Sequence, residues 1–65
     1  MKLKINGDMH EVASNTLSEL LLELGYGDIV VATAVNQAFV PATARHNVTL
    51  APGDSVEVLA PMQGG

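Results

Sequence analysis

The residues best suited to chemistry stand at the end of the chain, in Pro61-Met62-Gln63-Gly64-Gly65. Five extended residues reach about 17 Å, and the last two carry no Cβ, so a carboxyl on Gly65 could enter a channel too narrow for any side chain. At neutral pH such a carboxyl is an anion and a poor electrophile. It needs activation from outside. The sequence has no phosphate-binding glycine loop and no arginine cluster, so an enzyme partner has to adenylate the carboxylate before a nucleophile attacks. The same two glycines also suit a frayed terminus, a truncation or an engineered scar, and the residues alone leave both readings open.

No second reactive site stands beside this one. Gly25-Tyr26-Gly27 has the first two glycines of a dinucleotide loop, but it follows a helical stretch and lacks the third. His10 and His46 belong to no HxxxH or HxxE pattern and read as surface histidines, so no metal is expected. Ser14, His10 and Glu11 are the residue types of a hydrolytic triad, without a spacing that sets a nucleophile beside its base. The absence of cysteine removes thiolate metal sites and disulfides, and fits a reducing compartment. The chain reads as non-catalytic.

Seven acidic residues against three basic ones give a net charge of -4. That balance disfavours nucleic acid and anionic membranes as partners and suits a basic protein surface. The apolar stretches are short and interrupted, far from the roughly 20 residues of a membrane span, and the opening MKLKING lacks the apolar core of a signal peptide. A cytoplasmic protein is expected.

The elements that position the tail follow from periodicity. Met1, Leu3 and Ile5 alternate with Lys2 and Lys4, the period of a half-buried strand, and Asn6-Gly7 supplies the positive φ of a tight turn into Met9-His10-Glu11-Val12. Thr16 and Glu19 have the spacing of a capping box, so a helix starts near Leu17. Leu17, Leu20, Leu21 and Leu24 form its apolar stripe, and Gly25 closes it. Glu19 and Glu23 lie one turn apart on the solvated side, where like charges weaken the helix slightly. Ile29 to Val35 is β-branched and reads as a third strand. Phe39-Val40 reads as a fourth, confined to an edge by Pro41, and the stretch ATARHNVTLAPGDS after it reads as a loop with one more turn inside it. Pro52-Gly53-Asp54 is a turn, and Ser55 to Ala60 alternates as the last strand.

Hairpin, helix, two strands and a final strand make an α+β domain. A four- to five-stranded mixed sheet with one helix packed across one face is the ubiquitin-like β-grasp arrangement, here over residues 1–60 with a flexible tail at 61–65. Leu3, Ile5, Leu17, Leu20, Leu21, Leu24, Val56 and Val58 are the expected core. By strand parity Leu59 points away from Val56 and Val58, on an open sheet face shared with the small Ala32 and Ala34 and with Phe39. These four are the expected partner-binding face. Met62, Gln63 and Gly64 would thread into the partner's active site.

The run TAVNQAFVP, the segment GDSVEVLAP and the terminal QGG resemble the sulfur carrier proteins of thiamin biosynthesis, the ThiS family, within the ubiquitin-like group. Family members often carry a basic residue just after VP and an aromatic later in that loop, whereas Ala42 and Thr43 follow Pro41 here. The resemblance implies a cycle. A ubiquitin-activating-like adenylyltransferase (ThiF type) uses ATP and magnesium to adenylate the Gly65 carboxylate, sulfur from a cysteine desulfurase converts it to a thiocarboxylate, and thiazole synthase (ThiG type) accepts the sulfur. The chain itself binds no cofactor in that cycle. Carriers for molybdopterin or cysteine synthesis would share fold, tail and activation, a conjugated modifier would end in an isopeptide bond, and a plain β-grasp interaction module would make no use of the tail.

Overall fold

The computed structural model describes residues 1–60. Strand β1 (Lys2–Ile5) and strand β2 (Asp8–Glu11) form an antiparallel hairpin. Its turn residues Asn6 and Gly7 have φ of 50° and 90°, the paired positive values of a two-residue turn whose twist matches the strands. Helix α1 (Leu17–Glu23) follows, with Thr16 as its N-cap and the reciprocal Thr16–Glu19 capping box formed. Strand β3 (Ala32–Val35), strand β4 (Ala38–Val40), a 3₁₀ helix (Ala42–Asn47) and strand β5 (Ser55–Leu59) complete the order.

All five strands join one sheet in the order β2-β1-β5-β3-β4, and β5 runs parallel to β1 and antiparallel to β3. The fold is therefore α+β with a five-stranded mixed sheet, the ubiquitin-like β-grasp. Leu17, Leu20 and Leu21 of α1 share one buried cluster with Leu3 and Ile5 of β1 and Val56 and Val58 of β5. Burial of such a side chain contributes about 1.5–3 kcal/mol, so this single layer carries most of the stability available to a small domain. Leu24, expected in the stripe, is the C-cap residue and only packs partly against that cluster. Val12, Val31, Val40 and Leu50 complete the core from the element ends and loops.

Three expectations need correction. The third strand is shorter than Ile29–Val35: Ile29 and Val30 are exposed, and the ladder begins at Ala32. Ala32 stands opposite Leu59 at the end of the β5 ladder, and beside it the Arg45 guanidinium from the 3₁₀ helix donates to the Val31 carbonyl and to the Thr33 hydroxyl (3.0 Å). The buried Thr33 hydroxyl donates in turn to the Val40 carbonyl at 2.8 Å, so this polar contact within the core is fully used. The loop after Pro41 holds a whole 3₁₀ helix rather than a single turn. Finally, Glu19 and Glu23 do more than repel. Glu19 accepts from the Asn15 and Thr16 amides, and Glu23 accepts from Ala13, from the Ser14 amide and from the Ser14 hydroxyl. The Ser14 hydroxyl and then the Ala13 amide hold the Glu23 carboxyl below its ordinary pKa.

Candidate functional site: the open sheet face at the root of the tail

Strand β5 leads directly into the C-terminal segment, and its placement is fixed from both sides. Asn6 at the first turn accepts from the Val58 amide at 2.8 Å and donates to the Val58 carbonyl at 3.2 Å, closing the gap between β1 and β5 beyond their short ladder. A second two-residue turn, Asn36-Gln37, joins β3 to β4 with φ of 51° and 72°. Asn36 accepts from the Ser55 amide at 3.0 Å and donates to Asp54 at 3.1 Å. Two asparagines, one per hairpin, thus clasp opposite ends of β5. The strand that leads into the tail is therefore held on both sides.

Alternation on β5 buries Val56 and Val58 and turns Glu57 and Leu59 outward. Leu59 stands opposite Ala32, and Glu57 opposite Ala34, which in turn pairs with Phe39 on the edge strand β4. The structure therefore brings Leu59, Ala32, Ala34 and Phe39 together: they line one shallow hollow of about 90 Å³, with Glu57 at its margin. Leu59 is 66% exposed and Phe39 70%, values that leave two large apolar side chains in water on a side the helix does not cover. Lys4 and Glu57 border the apolar area, and neither makes an ion pair among the described residues.

One member of this surface escaped the sequence reading. Val30 is 82% exposed and lines a second groove with Val31, Ala32, Leu59 and Ala60, at the point where β5 hands over to the tail. The signal was present, since Val30, Ala32 and Ala34 share strand parity. Met62, Gln63, Gly64 and Gly65 lie outside the described residues. His10 and His46 are exposed, and no group of His, Asp and Glu side chains suited to a metal ion occurs among the described residues. No helix among the described residues is long and apolar enough to cross a membrane.

The sequence model of the ThiS family matches residues 3–65, nearly the whole chain. The chain belongs to the ThiS family. Its fold agrees with the crystal structure of a thiamine biosynthesis protein, ThiS, from Geobacter metallireducens, at a TM-score of 0.83 and 30% identity with both chains covered in full. An NMR solution structure of a thiamine biosynthesis protein from the same organism gives the same TM-score and identity, covering all of this ThiS-family chain and 88% of the other. No curated protein sequence matches it.

Proposed function

We propose that this ThiS-family chain is a sulfur carrier in thiamin (thiazole) biosynthesis, a protein cosubstrate rather than a catalyst. The observation that carries the reading is the extent of the family match, which runs to residue 65 and so includes Gly64 and Gly65 with the body that bears them. In this reading an oxygen of the Gly65 carboxylate attacks the α-phosphorus of ATP in a ubiquitin-activating-like adenylyltransferase, and pyrophosphate leaves. The acyl-adenylate is a strong electrophile where the free carboxylate was inert. A persulfide from a cysteine desulfurase then displaces AMP to give an acyl disulfide, an external thiol cleaves its S–S bond by exchange and leaves a disulfide on the donor and a thiocarboxylate on Gly65, and thiazole synthase consumes the thiocarboxylate. ATP and magnesium belong to the activating enzyme, not to this chain.

The side chains of the carrier do no bond making. Their work is to hold β5 rigid, through Asn6 and Asn36, and to offer the face formed by Leu59, Ala32, Ala34 and Phe39 to the enzyme that takes the tail. Gln63 and Met62 lead the two glycines into that enzyme. The absence of cysteine supports this division, because the carrier has no thiol of its own to compete for the activated acyl group.

Intact-protein mass spectrometry tests the proposal directly. After incubation with ATP, magnesium, the activating enzyme and a sulfur source, the expected product is heavier by one oxygen exchanged for sulfur, with the change confined to the C-terminal fragment. Deletion of Gly65 should abolish it. An unchanged mass with an enzyme of proven activity would reject the carrier role, and a thiazole-forming assay then identifies the acceptor.

A further inference from the structure

The length of the tail restricts where an activating enzyme can sit. Beyond Ala60, the last described residue, residues 61–65 span at most about 17 Å even when fully extended. Part of that reach is used inside the enzyme, because acyl activation occurs in a recessed, water-poor site. The body of the enzyme must therefore rest on the surface immediately around Ala60. That surface is the groove formed by Val30, Val31, Ala32, Leu59 and Ala60, about 360 Å³ in volume and almost entirely apolar in its residues. Val30, the most exposed large apolar residue among those described, stands beside the tail root with Leu59.

Its exposure is imposed by its neighbour. Val31 is buried in the core and its carbonyl is held by Arg45, so an extended backbone at this point turns Val30 outward. Phe39 is less favourably placed. It pairs with Ala34, which stands opposite Glu57, two residues or about 7 Å back along β5 and across two strand spacings of about 5 Å each.

We propose that the contact with the adenylating enzyme is centred on the tail root and anchored by Val30 packed beside Leu59, with Phe39 at its periphery. The inference rests on the carrier reading above and adds the position of the docking centre and its anchor. The partner it describes is an ATP-dependent adenylyltransferase with an apolar collar around the mouth of the channel that receives Gly64 and Gly65.

The test uses the full chain and the ubiquitin-activating-like adenylyltransferase of the same organism. Binding is measured by calorimetry without ATP, and pyrophosphate release with ATP gives kcat and KM. Val30→Asp should weaken binding about 10-fold or more and raise KM correspondingly, with kcat close to that of the parent because the reacting tail is unaltered. Val30→Ala should weaken binding several-fold. Phe39→Asp should weaken it less than Val30→Asp, and Met9→Asp, on the distant edge strand β2, should leave it unchanged. Circular dichroism melts report whether each variant keeps its fold, and Val30→Ala answers the question should the charged variant unfold. Adenylation of the parent chain together with parental binding by both Val30 variants would overturn the docking centre alone. Failure of the parent chain to be adenylated would overturn the carrier reading on which it stands.

Discussion

The two hairpins of this domain have the same turn geometry and opposite tasks. In the first, Asn6-Gly7 links a strand that supplies Leu3 and Ile5 to the core to a strand whose four residues are all exposed. In the second, Asn36-Gln37 links β3, with Thr33 buried, to β4, with Val40 buried, and sets Ala32, Ala34 and Phe39 on the open face. Each turn asparagine reaches sideways to β5, yet they hold different things. Asn6 takes both backbone groups of the buried Val58, whereas Asn36 takes the Ser55 amide and an aspartate near the surface. Equivalent turns can thus serve two halves of one sheet, one given to packing and one presenting an open apolar face, with burial at the clasped strand deciding how much each is worth.

Removing the asparagines should expose the difference. Asn6→Ala leaves the amide and carbonyl of Val58 without partners and places a Cβ-bearing residue without a stabilising side chain at positive φ. A loss of about 2–3 kcal/mol is expected from urea unfolding, a large share of the stability of so small a domain. Asn36→Ala carries the same positive-φ cost but sacrifices bonds that water can replace, so the same measurement should give a loss smaller by about 1 kcal/mol. Equal losses for the two variants would erase the distinction between the halves. The smallest effect has the opposite sign. Gln37 sits at φ 72° where glycine is at ease, so Gln37→Gly should stabilise the domain by up to about 1 kcal/mol, seen as a higher urea midpoint, and should leave enzyme binding intact.

The two turns also differed in how plainly the sequence announced them. Asn6-Gly7 is a strong local signal between alternating segments, and the first hairpin was read with its faces correct. Asn36-Gln37 lacks the glycine, so it marked only the end of a strand and not a hairpin. The capping box at Thr16 and Glu19 and the stripe Leu17, Leu20, Leu21 were equally local and equally readable. What remained hidden depends on distant partners. Ile29 to Val31 has strand composition, but the ladder begins only where Ala32 meets Leu59, and the Arg45 bond to the Val31 carbonyl comes from fourteen residues away, so nothing near residue 31 foretells either. The bonds from Glu23 to Ala13 and Ser14 span ten and nine residues, so charge spacing along the helix could report only repulsion. Of the candidate face, Leu59, Ala32 and Ala34 were legible by parity. Phe39 became firm only through its register with Ala34, whereas Val30 had the same parity as Ala32 and Ala34 within the expected strand and could have been drawn from it.

The placement of β5 has a consequence for how the molecule comes into being. It is the last of the described strands in sequence and the middle strand of the sheet, so until it docks the chain holds two ribbons with nothing to join them. Isolated two-stranded ribbons are marginal in water, and joining them through a strand translated some fifty residues after the first requires the slow closure of a long loop. The sheet is therefore completed by the stretch of sequence that leads into Gly64 and Gly65. A chain cut before β5 lacks the strand that joins the two ribbons, so the topology makes a finished body depend on the stretch next to the C-terminal segment.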